Sequence, residues 1–226
     1  MKLDYRDQGR VKTDITDYLK KILDNLTNKY QGSYITPTAN HLLEVSNTTR
    51  KLSKKDAQVF HTIMEKIIFL CKRARRDILI GVASLMTQVR EPDEDDGKKL
   101  SWILKYICGT RDLVITLESD GTGTVKWWVD AAFTVHHDMK IHTGGMMSMG
   151  QGALYSASSK QKLNTKSSTK AELVRVDDLM TQILWMSYFL EAQDMKVSDN
   201  VFYQDNQSAM KLEKMEEHQV VSEPGP

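Results

Sequence analysis

The sequence predicts an α/β protein in which a mixed sheet of element order β-β-β-α-β-α, over residues 123–214, follows a mainly helical segment over residues 1–122. Three observations carry that expectation. Apolar residues recur at helical spacing through most of the first block, whereas β-rich runs, "LVITLE" and then "TVKWWVDAAF", begin around Gly121 and Gly123. Glycines punctuate the strand-rich stretch that follows. A long run at core helical spacing, from about Lys170 to Ala192, then separates the early strands from a late one, "NVFYQD".

The first helix is expected in "DITDYLKKILDN", residues 14–25, where Ile15, Tyr18, Leu19 and Ile22 share a face and Asp14 or Thr16 can cap. A loop, "QGSYITPTANH", is broken by Gly32 and Pro37. The stretch "SKKDAQVFHTIMEKIIFLCKRARRDILIGVASLMTQV" opens on a capping signal, Ser53 with Asp56 three residues on, and divides into two helices near Lys72, Arg73, Arg75 and Arg76. "PDEDDGKKLSWILKYICG" reads as a fourth helix, with acids in its first turn and Gly109 as its stop.

In the second block, a strand over 125–132, the polar stretch "TVHHDMKIHTGG", then "MMSMG" and "ALYSASS" predict a three-stranded antiparallel meander. Its turns are expected at Gly144–Gly145 and Gly150–Gly152. The long helix enters through "NTKSST" and sets Leu173, Val176, Leu179, Met180, Ile183, Met186 and Leu190 at core spacing. "NVFYQD" is the fourth strand and "NQSAMKLEK" the closing helix, with residues 215–226 expected as a disordered tail.

Composition sets outer limits. With 226 residues, 40% of them apolar, and a net charge of +1, the chain can bury real cores and is no polycation, so charge alone does not demand a nucleic-acid partner. Cys71 and Cys108 lie in apolar, helix-like surroundings without a partner at ligand spacing and read as core thiols of a reducing compartment. "MKLDYRDQGR" has no signal core, and no run reaches the roughly 18 apolar residues of a membrane span, so a soluble, intracellular protein without a membrane partner is expected.

Three acids stand out against this outline. Asp130 sits in the first strand of the second block, Glu172 in the first turns of the long helix, and Asp205 at the end of the fourth strand. Singly, they read as an edge-strand residue, an acid favoured by the helix dipole and a helix cap. If the fourth strand inserts beside the first, however, the three share one edge, and carboxylates so gathered repel unless hard divalent cations, Mg²⁺ or Mn²⁺, sit among them. Two such ions about 3.5–4 Å apart suit phosphodiester hydrolysis.

The combination V-D-A-x-F, H-T-G-G, S-S-T-x-A-E and Q-D-N-Q-S-A, dense over residues 125 to about 214, resembles the ribonuclease H domain of copia-type LTR retrotransposon Pol polyproteins. Upstream, "FLCKRARRDI" and "KKLSWILKYICGT" are similar to the thumb and connection region that follows the polymerase site in the same polyproteins. The resemblance implies a ribonuclease H-like fold that cuts the RNA strand of RNA–DNA hybrids, with Asp130, Glu172 and Asp205 as catalytic metal ligands for Mg²⁺ or Mn²⁺. Gln207 corresponds to the family residue touching the substrate backbone, and Asn206, Ser168 and Thr169 are further substrate-binding candidates. It also implies as partners an RNA–DNA hybrid and the polymerase part of the same polyprotein, in the cytoplasm, a virus-like particle or the nucleus.

Departures from the family pattern matter. Members continue to a segment with a histidine and a fourth acid, whereas no aspartate follows Asp205 here, so the last helix and one ligand are expected to be missing. The alternative is therefore a catalytically inactive hybrid-binding or connection module. Lys170 stands where the family has an acid. No Y-x-D-D signature occurs, so polymerase activity is not expected. A retroviral-type integrase shares the fold class, but S-S-T-x-A-E and Q-D-N-Q argue against it.

Basic residues supply candidate phosphate contacts: Lys160, Lys162, Lys166 and Lys170 before and at the long helix, and Lys72, Arg73, Arg75 and Arg76 in the first block. Each cluster also reads as an ordinary solvated surface. Trp127 and Trp128 alternate, so at most one enters the core and the other seals the interface with the first block, with a stacking platform for bases as the alternative. His136, His137 and His142 fit no standard zinc spacing.

Overall fold

A computed structural model of the chain describes residues 1–24, 32–45, 48–132, 142–161 and 168–203. The expected closing helix over 206–214 and the tail over 215–226 lie outside them.

The chain begins with an antiparallel hairpin, β1 (Lys2–Asp4) and β2 (Arg10–Asp14), and then α1 (Thr16–Asp24). The Asp14 carboxylate accepts from the Thr16 amide at 2.7 Å, which satisfies an otherwise orphaned donor where the helix starts. Helix α2 (Lys54–Arg73) is capped by Ser53, whose hydroxyl accepts from the Asp56 amide at 3.2 Å. A single 3₁₀ turn (Arg76–Ile78) leads into α3 (Leu79–Met86). Helix α4 (Glu94–Gly109) opens with a capping box between Asp93 and Asp96. Leu19, Phe60, Met64, Ile67, Ile78, Val82, Ile103 and Leu104 are among the residues that build one apolar core from these four helices.

The second half contributes β3 (Ile115–Ser119), β4 (Thr124–Ala132), β5 (His142–Ser148), β6 (Gly150–Gln151), β7 (Tyr155–Lys160), α5 (Ser168–Ala192) and β8 (Asp199–Tyr203). One sheet has the order β7-β5-β4-β8, the other β1-β2-β3-β6. In the first, β4, β5 and β7 form the antiparallel meander, and β8 adds to β4 in parallel, so the late strand lies beside the first. Val125, Trp127, Val129 and Met147 pack against Leu179, Ile183 and Leu190 of α5 in a second apolar core. No helix among the described residues is long and apolar enough to cross a membrane.

Two expectations are corrected. The first block is not only helical: β1 and β2 form strands and pair with β3, held in part by an Arg10–Glu118 ion pair of 2.7 Å. "KLD" and "RVKTD" are too short and polar to show an apolar alternation, and the second strand's pairing with β3 depends on residues over a hundred positions away. Gly144 and Gly145 do not form a turn but lie inside β5, facing Asp130 and Val129 of β4. The reversal after β5 uses Gly150 and Gly152, where a turn was expected. Both have positive φ, at 154° and 79°, and a Cβ on either would collide with the backbone carbonyls of Glu118 and Thr116.

Candidate functional site

Alternation along β4 decides what can become a site. Val125, Trp127 and Val129 turn to the α5 side and are buried, Trp127 at 0% exposure. Lys126, Trp128 and Asp130 therefore turn to the other face. Trp128, at 36% exposure, stacks on Tyr203 of β8 with ring centroids 5.1 Å apart and planes inclined by 14°. Lys126 is tied to Asp120 at 2.5 Å, and this hydrogen bond, more than the Thr122 contacts, holds the Asp120 carboxyl well below the usual carboxylate range.

Asp130 is exposed near the end of the central strand β4, with β5 beside it. Its partner in register is Gly144, where a Cβ would meet nothing nearer than the Asp130 carbonyl at 4.0 Å. The carboxylate thus borders open space and has no cationic or hydrogen-bond partner among the described residues. A hard oxygen donor that is rigidly mounted, unpaired and open on one side fits a divalent cation. Among the described residues no three acids, histidines or cysteines gather as a metal cluster.

Glu172 belongs to the first turns of α5, which starts at Ser168; Thr169, beside Ser168, is half-buried. Asp205, Asn206 and Gln207 lie outside the described residues. Of the seven residues expected at the site, the structure therefore describes a side-chain environment only for Asp130 and Thr169.

The face bearing Asp130 forms one wall of a cavity of about 600 Å³. Trp128, Met146, Ser156, Ser158 and Tyr203 line it from the sheet, and Arg76, Leu79 and Ile80 from the helical half. The expectation that one tryptophan enters the core and the other faces the first block describes Trp127 and Trp128 as they stand. The basic cluster beside α3 is less available than expected. Arg75, 1% exposed, is locked in an ion pair with Asp77 at 2.7 Å and donates to the Thr110 carbonyl at 2.8 Å, so it cannot track a phosphate backbone. The guanidinium of Arg73 instead stands 5.6 Å from the centre of the Phe69 ring. Lys162 and Lys166 lie outside the described residues.

Tyr203 and Arg76 are cavity residues whose placement the sequence did not disclose. A parity argument could have found Tyr203 once the parallel register was known. Nothing local signals that Arg76 reaches a strand some 80 residues further on.

No family model and no solved structure matches the chain. Curated relatives do. The chain is 26% identical over 203 residues to the retrovirus-related Pol polyprotein from transposon TNT 1-94 of Nicotiana tabacum, covering 87% of this chain and 15% of that protein. It is 29% identical over 140 residues to the corresponding polyprotein from transposon RE2 of Arabidopsis thaliana, covering 61% of this chain and 10% of the relative. A putative transposon Ty5-1 protein of Saccharomyces cerevisiae is 25% identical over 178 residues, 77% of this chain and 57% of that protein. The chain is thus similar over most of its length to a part of retrotransposon Pol polyproteins.

Proposed function

We propose that the chain is a fragment of a retrotransposon Pol polyprotein that hydrolyses the RNA strand of RNA–DNA hybrids with Mg²⁺ or Mn²⁺. The observation that carries this reading is the parallel pairing of β8 with β4. Among the described residues its register runs as far as the Trp128–Tyr203 pair, and in the sequence Asp130 and Asp205 each follow that pair by two residues. Glu172 comes four residues after the start of α5, which packs on the face of that sheet opposite to the one bearing Asp130, so the reading requires the start of α5 to lie at the sheet's edge. The similarity to Pol polyproteins supplies the context in which three such acids serve one site.

In this reading Asp130, Glu172 and Asp205 hold the cation through oxygen donors. The ion would supply Lewis acidity at the scissile phosphate and a more acidic water. Asp130 contributes rigidity, because β4 is bonded on both sides, to β5 and β8. Ser168, Thr169, Asn206 and Gln207 position the hybrid by its backbone. Recognition then follows 2′-hydroxyls and minor-groove shape rather than sequence. The polymerase part of the same polyprotein is the proposed protein partner.

The test is cleavage of a labelled RNA–DNA hybrid with and without Mg²⁺, against Asp130→Asn. Cleavage is expected to need the metal and to fall by at least about 10²-fold in the variant, the scale of losing one preorganised electrostatic contact at a reacting centre. Equal cutting by both proteins would remove the proposed site. Binding of the hybrid by the parent without cleavage would favour a silent binding module.

A further inference from the structure

Among the described residues, Arg76 is the side chain of the helical half whose charge reaches the cavity beside Asp130. It leaves the chain just before α3 and crosses to the sheet, where Nη2 donates to the Leu154 carbonyl at 2.9 Å and Nη1 to the Ser156 hydroxyl at 3.3 Å. Its Nε is buried and has no partner, and among the described residues no carboxylate pairs with the guanidinium. Arg75, its neighbour, differs on both counts. Burial lowers the pKa of Arg76, which still carries its charge. A buried donor left unmade and a cation without a counter-ion are both costly, and an incoming anion supplies the missing counter-charge.

The rest of the cavity narrows the kind of anion. Lys72 borders the adjoining depression with Arg76 and Ser159, adding a second cation. Across the cavity the stacked Trp128 and Tyr203 rings present an apolar, half-exposed π surface. A volume of about 600 Å³ lies in the ordinary range for sites that take a small organic molecule. An apolar helix would leave the guanidinium unanswered, and a bare inorganic anion would leave the rings uncovered. A phosphate joined to a planar ring system answers both.

We infer that this cavity takes one nucleotide unit of a nucleic-acid strand, its phosphate on Arg76 and its base or sugar against Trp128 and Tyr203. The helical half is then part of the binding site and not only a support for the sheet. The inference rests on the nucleic-acid reading above and adds to it a place where the strand is gripped beside Asp130. Stacking on an aromatic platform tolerates every base, so the grip is sequence-independent.

The experiment measures affinity of the full chain for a short labelled RNA–DNA hybrid in EDTA, where binding is read without cleavage, over a range of salt. Arg76→Gln is expected to weaken binding about 3- to 10-fold and to reduce the salt slope by about one phosphate contact. Arg76→Lys should keep the slope. Trp128→Ala should weaken binding with the slope unchanged. Because Arg76 also ties β7 to the helical half, Ile80→Glu serves as a second variant: Ile80 is 56% exposed, so the fold should tolerate a carboxylate placed at the cavity mouth that repels phosphate. Parent-like affinity and slope in both Arg76→Gln and Ile80→Glu would overturn the inference. If those variants bind weakly while Asp130→Asn still cleaves, the grip stands and the nuclease site falls. If Asp130→Asn is inactive while the cavity variants bind normally, the nuclease site stands and the grip falls.

Discussion

Val129 and Asp130 are neighbours in sequence and opposites in surroundings: one is 4% exposed against α5, the other borders an open cavity. A carboxylate can occupy an otherwise apolar strand because a pleated strand sends alternate side chains to opposite faces, so Asp130 escapes the core that Val129 and Trp127 fill. Cys71 shows the reverse case, a titratable group that does not escape. Burial pushes its thiol from 9.0 up to about 11, and its hydrogen donates to the Ile68 carbonyl at 3.3 Å. The folded chain therefore keeps this proton where the unfolded chain has lost it. Between about pH 9 and pH 11 unfolding should become easier as pH rises, by at most about 2–3 kcal/mol from this group. Below that window the group should contribute no slope. Chemical denaturation across pH, with Cys71→Ala as the reference, measures the difference. Parallel pH profiles for the two proteins would show that the thiol is solvated. At neutral pH the same burial predicts that Cys71 resists alkylation until the chain unfolds.

Elements were readable in the sequence wherever a local signal fixes them. Ser53 with Asp56, and the acids in the first turn of α4, marked the starts of α2 and α4 because helix ends have donors that nearby side chains can satisfy. The order of strands and the place of α5 followed from apolar spacing. Much of what escaped was set by distant partners: β2 and β6 both pair with β3, and Arg76 points to β7. The glycines of β5 were misread because glycine signals a turn only when φ is positive, which is so at Gly150 and Gly152. Of the candidate site, Asp130 could be recognised as a carboxylate in a buried-looking run, whereas its cavity depends on two halves of the chain meeting. Two outcomes are expected at this level. Asp93→Ala should cost about 0.5–2 kcal/mol by denaturation, since Asp93 accepts from the amides of both Asp95 and Asp96. Gly144→Val should leave stability unchanged or raise it by up to about 1 kcal/mol, because a strand glycine has no side chain to pack and the Cβ meets open space. That same valine would fill the space beside Asp130, so hybrid cleavage should fall at least about tenfold. A stable Gly144→Val protein with full activity would show that this space is not used.

At the scale of the whole chain, two apolar cores are joined, among the described residues, by the short β3–β6 pairing, the packing of α3 near β7, and the hydrogen bonds of Arg76. Such a junction resembles a contact between domains more than a shared core, so the halves need not melt together. The tryptophans separate them. Trp102, stacked on Tyr34 at 3.7 Å, reports the helical half, and Trp127, at 0% exposure, reports the sheet half. A variant that keeps only Trp102 and one that keeps only Trp127 should therefore follow two different thermal midpoints. A cation that binds the folded sheet half and not its unfolded form stabilises it by mass action, about 2.7 kcal/mol at a hundred times its dissociation constant. Mg²⁺ should therefore raise the midpoint seen by Trp127 and leave that seen by Trp102 in place. Asp130→Asn should abolish the shift without changing the stability in EDTA by more than about 0.5 kcal/mol, the usual range for an exposed residue. An equal Mg²⁺ shift at both probes, or one that survives in Asp130→Asn, would mean that the ion acts on the protein's general charge and not at the open edge of β4.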